Sequence, residues 1–182
     1  TSKVKQQSIH RLMLACGISQ VRIAIPDLEE FLQKVHQISS RRGTHVIFFN
    51  AQHMAGRAHA ESALRHAFRA LEQETMISNR VEMEALLYAA GSRQIVQGMK
   101  FGLQPGENAA YLCICPDDGP TRKDIMEFCD PAENEDWEVI PPEKSAHLCT
   151  LFSITPQEVE VVGRGRLPEL VLERVALLEV YR

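Results

Sequence analysis

His59 and Glu61 stand two residues apart, the spacing of the H-x-E half of a zinc nucleobase deaminase, where the histidine binds metal and the glutamate moves protons. The other half of that signature, P-C-x-x-C, is missing. The chain has Cys113-Ile-Cys115-Pro116 instead, with the proline on the wrong side and one spacer residue too few. A looser zinc set could combine His59 and His66, on one face of a predicted helix, with Cys113 and Cys115, on one face of a predicted strand. Structural zinc sites draw on closer cysteine or histidine pairs, so this spacing argues against a metal, and no cofactor is expected. A thiol enzyme built on Cys16 or Cys129 would need a neighbour that stabilises a thiolate, and neither has one in the sequence. No phosphate-binding glycine loop and no nucleophile elbow occurs, and Gly163-Arg-Gly-Arg166 reads as an interhelical turn. The acids of 130–138 read as a solvated run. These incomplete patterns point to a binding or regulatory module, with a small zinc-dependent hydrolase or deaminase using His59, Glu61 and the cysteines as the rival.

The elements that must position these residues form one ordered series. Residues 1–7 are polar and predict a flexible tail, and Leu12–Cys16 and Val21–Ile25 predict a hairpin around Gly17-Ile-Ser-Gln. Asp27 is placed to cap a helix with Leu28, Phe31, Leu32, Val35 and Ile38 on one face, closed by basic residues and Gly43. A strand over Thr44–Phe49 follows. A long helix is predicted over Ala55–Glu74, with Ala60, Ala63, Leu64, Ala67, Phe68 and Leu71 buried. Ser78 or Asn79 should cap the next helix, which buries Met83, Leu86, Leu87 and Ala90 and ends at Gly91. Ser92 should cap a further one, with Ile95, Met99 and Phe101 as core contacts. Beyond a turn at Gln104–Asn108 come a strand over Ala110–Cys115, a short helix over Thr121–Cys129, an acidic loop over 130–145 with Trp137 as a packing anchor, and a helix over Pro142–Leu151. Thr155 caps another helix, and the last, Glu169–Tyr181, is apolar around most of its circumference and requires burial. The fold class expected is α/β (α+β): a single domain over 1–182 with a small, largely antiparallel or mixed sheet flanked by several helices.

With 182 residues, 45% of them apolar, the chain can bury a sizeable core. It has no leader pattern and no apolar run approaching the roughly 18 residues of a membrane span, so a cytoplasmic protein without membrane contact is expected. Its five cysteines, odd in number and irregular in spacing, predict reduced thiols, most of them in the core. The net charge of −4 is too acidic for nonspecific coating of nucleic acid. The charge is nevertheless divided along the chain. Residues 1–100 carry 13 Lys+Arg against 8 Asp+Glu, a balance of +5, and residues 101–182 carry 7 against 16, a balance of −9. The first part can therefore hold a local anion-binding face.

Within that part the chain resembles a known family. The motifs are Phe49-Asn50-Ala51, Ala55-Gly56-Arg57 with His59, Glu61-Ser62-Ala63, Ser78-Asn79, Glu82-Met83-Glu84, Leu86-Leu87-Tyr88-Ala89, Gly91-Ser92-Arg93-Gln94-Ile95 and Lys100-Phe101-Gly102. In this order they are similar to the KEOPS subunit family that binds the PRPK-type atypical kinase, the TPRKB family. Weaker similarity runs from the opening strands to Leu170–Leu178, and the acidic loop lies outside it.

The resemblance implies a non-catalytic subunit of the complex that makes threonylcarbamoyl-adenosine in tRNA. Such a subunit docks on the kinase-like ATPase and recruits tRNA by its single-stranded CCA end. Grasping a flexible RNA end calls for a confined cationic pocket, amides that read base edges and an apolar floor. Asn50, Arg57, His59, Arg93, Gln94 and Lys100 are the expected tRNA contacts, being polar residues of the matching motifs at helix ends or turns. Five have a structural alternative: Asn50 as a turn cap, Arg57 paired with Glu61, His59 as a core histidine, Gln94 satisfying the Gly91 turn and Arg93 paired with Glu84 or a neighbouring acid. For the kinase, the expected apolar faces are Met83, Leu86 and Leu87 of one helix and Val171 and Leu178 of the closing helix. A scaffold that binds the kinase without RNA is the second rival.

Overall fold

The computed structural model describes residues 16–181. The tail over 1–7 and the strand expected at Leu12–Cys16 lie outside the described residues, apart from Cys16 itself. The described chain is an α+β fold whose four-stranded antiparallel sheet runs, in spatial order, β2 (His45–Asn50), β3 (Gly106–Cys115), β1 (Gly17–Ile25) and β4 (Asp130–Pro131).

Strand β1 (Gly17–Ile25) does not turn at Gly17-Ile-Ser-Gln. These residues are its first turn-free positions and pair with β3 (Gly106–Cys115) in the register Gly17↔Ile114 to Ile25↔Gly106. Strand β2 (His45–Asn50) pairs on the other side of β3, from His45↔Cys115 to Asn50↔Ala110. Alternation along each strand feeds two cores. Val21, Ile23, Ile25, Val46, Phe48, Ala110, Leu112 and Ile114 face one layer, while Ile47, Phe49, Tyr111, Cys113 and Cys115 face the other.

The first layer is α1 (Leu28–Arg42) and α5 (Gly119–Met126), which bring Phe31, Val35, Ile38 and Ile125 to the sheet. Helix α1 begins and ends as its sequence requires. Asp27 accepts from Glu30 N at 3.1 Å, and Gly43 takes the left-handed conformation at φ 67°. The second layer is larger: α2 (Arg57–Glu72), α3 (Val81–Ala90), α4 (Ile95–Lys100), α6 (Pro142–Leu151), α7 (Pro156–Val162) and α8 (Leu167–Val180). The small residues Ala60, Ala63 and Ala67 of α2 are fully buried and let it lie close to its neighbours. Leu170, Val171, Val175 and Leu178 bury the inner face of α8 in the same core.

Three local expectations are corrected. Helix α3 has Arg80 at its N-cap and no capping side chain there. The buried Glu84 reaches back instead, accepting from Ile77 N at 2.9 Å, Ser78 N at 2.9 Å and the Ser78 hydroxyl at 2.7 Å. Ile95 and Met99 of α4 are exposed, because Gly98 forms the face against α3; a Cβ there would lie 3.0 Å from Leu87 Cδ2. The cysteines are not all reduced either: Cys16 and Cys115 form a disulfide, with Cα atoms 4.3 Å apart. The ladder that opposes Gly17 and Ile114 brings them together, a pairing that a separation of 99 residues conceals.

The acidic segment is a strap held to the fold. Asp130 and Pro131 form β4 on the edge of β1, Ala132 N donates to Gln20 O, and Gln20 N donates to Glu133 at 2.8 Å. Glu135 pairs with Arg22, and Trp137 meets Tyr111 edge-on with centroids 5.4 Å apart. Glu138 accepts from Arg57 N at 2.8 Å, satisfying a free donor at the start of α2. The solvated run read from the sequence is thus largely a set of partners for β1 and α2.

Candidate functional site

His59 lies 1% exposed between α2 and α3. Its Nδ1 accepts from Ala55 N at 3.0 Å and its Nε2 donates to Ala89 O at 2.9 Å, a pattern that fixes one neutral tautomer. Burial pushes its pKa down to about 4. Both nitrogens are committed and no surface remains, so His59 is corrected from an RNA contact to a structural histidine. The same geometry removes the zinc-hydrolase donor set. Cys115 is disulfide-bonded, burial holds the Cys113 thiol protonated, and His66 stacks on Tyr88 with centroids 5.1 Å apart.

Arg57 is tied to the strap and to β1. Its guanidinium donates to Ile18 O at 2.8 Å and lies 4.0 Å from Glu133, in place of the Glu61 pair considered from sequence. Asn50 caps a short 3-10 turn (Ala51–His53) by accepting from Gln52 N at 3.1 Å. Lys100 is exposed at the end of α4. None of Asn50, Arg57 and Lys100 lines the cleft that holds Arg93.

Arg93 and Gln94 do lie together, at the corner where Gly91 ends α3 in the left-handed conformation with φ 61°. The corner opens on a cleft of about 580 Å³ lined by Arg93, Gln94, Gln97, Phe152, Arg174 and Tyr181, among others. Arg174 is spent on structure, donating to Glu158 and to the carbonyls of Phe152 and Ser153. The Arg93 side chain is exposed and has no ion pair among the described residues. Its suggested partner Glu84 is fully buried and occupied by Ile77 and Ser78. Gln94 N donates to Ser92 Oγ at 3.1 Å, which closes the turn and leaves the exposed Gln94 amide on the cleft. Phe152 and Tyr181 were not singled out in the sequence, since only folding brings α6 and α8 to this corner.

A second concavity, of about 270 Å³, lies between α1 and the α3–α4 pair across β2. Its floor is Val35, Val46, Phe48 and Leu103, and its rims carry Leu32 at 47% and Met99 at 54% exposure. Met83 and Leu86 line it, half-buried. Leu87 and Val171, in contrast, are fully buried and Leu178 nearly so, so these three are corrected from kinase contacts to core residues. Arg80, His36 and Glu82 make one end of the groove polar, with Arg80 donating to His36 Nδ1 at 3.0 Å.

An apolar groove with half-exposed leucine and methionine rims is the anatomy of a surface that receives another protein. Residues 25–179 match the family model described as kinase binding protein CGI-121. The chain belongs to this family. A search of curated protein sequences gave no significant match. As a member of the kinase binding protein CGI-121 family, the chain requires a surface for another protein, and the whole groove falls inside the matched segment. Among the described residues, no helix is long and apolar enough to cross a membrane.

Proposed function

We propose that this chain is the non-catalytic, cytoplasmic subunit of a KEOPS-type assembly that docks on the PRPK-type kinase subunit and recruits tRNA by its CCA end. The observation that carries the RNA half is the Gly91 corner. A guanidinium that is exposed and without an ion pair among the described residues, an amide beside it and aromatic walls from Phe152 and Tyr181 share one open cleft. That combination suits a single-stranded end, whose bases stack on rings while their edges and phosphates take polar contacts. The net charge of −4 accords with recognition at one confined place rather than along a duplex. Docking of the kinase is assigned to the groove between α1 and α3–α4, where the family's kinase-binding character meets an apolar surface with half-exposed rims.

The test is Arg93→Glu in a pull-down with full-length and CCA-less tRNA. The substitution is expected to weaken full-length tRNA binding about tenfold or more, as loss of a charge-assisted contact does, and to leave melting temperature and kinase capture unchanged. Wild-type protein should lose most of its binding when the CCA end is removed. Equal affinity of variant and wild type for tRNA would eliminate Arg93 as a contact and leave the kinase-binding scaffold.

A further inference from the structure

We propose that His53, Lys100, Lys144 and His147 form a binding site for a phosphate oxyanion, beside the cleft that holds Arg93. The site rests on the tRNA reading only for the source of the phosphate. His53 closes the 3-10 turn after β2, Lys100 ends α4, and Lys144 and His147 stand three residues apart on α6. Three separate elements carry the four basic side chains, and His147, Lys100 and Lys144 all lie near enough to His53 to act on it as like charges. His53 Nδ1 and His147 Nε2 are 2.7 Å apart, with ring centroids 4.9 Å apart. One ring donates to the other, so each keeps a second nitrogen for an outside group.

The neighbours leave this cluster poorly neutralised. Burial pushes the His53 pKa down, and His147, Lys100 and Lys144 add to it as like charges. Glu138 is the acid that acts on Lys144, and it is already engaged by the backbone N–H of Arg57. Lys144 itself is partly buried, which pushes its pKa down as well. Beneath the cluster, Phe101 packs on His53 at 5.4 Å and on Phe152 at 5.8 Å between centroids. Phe101 and Phe152 both line the Arg93 cleft, so the basic cluster and the cleft share a wall.

Two cationic side chains and a histidine pair that gains charge by taking up a proton suit a phosphate, whose oxygens accept from all four. An anion bound there favours the protonated pair. By linkage, its affinity rises as the pH falls below the ordinary histidine range, by at most tenfold per pH unit for one proton taken up.

The experiment follows the imidazole signals of the full chain by NMR while inorganic phosphate is added at pH 6.5, and in parallel measures tRNA affinity at pH 6 and pH 8. Saturable shifts of the His53 and His147 signals are expected in wild type and should vanish in the Lys100→Ala/Lys144→Ala variant. For tRNA, affinity should be about three- to tenfold higher at pH 6 than at pH 8. His147→Asn should flatten that dependence, whereas Arg93→Glu should weaken binding and keep it. Phosphate binding without tRNA binding would sustain the oxyanion site with free phosphate as its source and would refute the RNA reading. Binding of tRNA with no phosphate shifts, and with the same pH dependence in His147→Asn, would overturn the site and leave the RNA reading intact. Absence of both phosphate shifts and tRNA binding would overturn the two together.

Discussion

His59 carries no charge at neutral pH because the fold buries it and gives it two backbone partners. Ala55 N fixes which nitrogen accepts, Ala89 O fixes which donates, and burial brings the pKa from 6.5 to about 4. The sign of the consequence follows from which state holds the proton. Between pH 6.5 and 4 the unfolded chain protonates this histidine and the native chain does not, so native stability falls as the pH drops through that window. The full effect is on the order of 3 kcal/mol for a shift of this size. In urea denaturation, His59→Asn is expected to cost about 2 kcal/mol at pH 7, where a backbone partner is lost. It should also reduce the stability loss between pH 6.5 and 4 by about one proton's worth. An unchanged pH slope in the variant would refute the buried neutral histidine.

Gly91 is where an element boundary and a packing contact coincide. Its φ of 61° ends α3, and a Cβ at this position would lie 3.3 Å from Arg174 O on α8. Gly91→Ala therefore meets both conformational strain and a backbone neighbour, with an expected loss of about 1–3 kcal/mol in denaturant unfolding. Gly43→Ala is the comparison, since nothing lies within 4 Å of a Cβ there. It should cost only the conformational part.

These glycine stops were legible in the chain, as were Asp27 at the start of α1 and Thr155 at the start of α7, because each is set by local chemistry. The misread parts depend on distant partners. Helix α3 is capped through Glu84, whose ligands Ile77 and Ser78 sit in the preceding loop. In α4 Ile95 and Met99 recur at helical spacing and were expected in the core, but the face that packs belongs to Gly98, and no local signal chooses between the two. The strap over 130–138 could not be placed at all without β1, since its acids find Gln20, Arg22 and Arg57 only across the fold.

Over the whole molecule, the division of charge along the chain is only partly a division in space, because the strap brings acids from the second part onto Arg22 and Arg57 of the first. What remains is arranged around α4. Met99 forms a rim of the apolar groove, while Gln94 and Gln97 line the Arg93 cleft, so one helix of six residues separates the two proposed surfaces. Which apolar face stays uncovered could not be read from sequence, since α8 and the Met83–Leu87 segment look equally apolar and only packing buries Val171 and Leu178 while leaving Met83 and Leu86 half-buried on the groove. Separate surfaces make separable variants. Leu32→Glu and Met99→Glu change half-exposed side chains on opposite rims of the groove, so each should leave the melting temperature within a few degrees of wild type. Each should weaken capture of the purified PRPK-type kinase about tenfold or more, as charges placed in an apolar interface core do, and leave tRNA affinity unchanged. Arg93→Glu should do the reverse. Normal kinase capture by both rim variants would exclude this groove as the docking site, and a joint loss of kinase and tRNA binding in either one would show that α4 couples the two surfaces rather than dividing them.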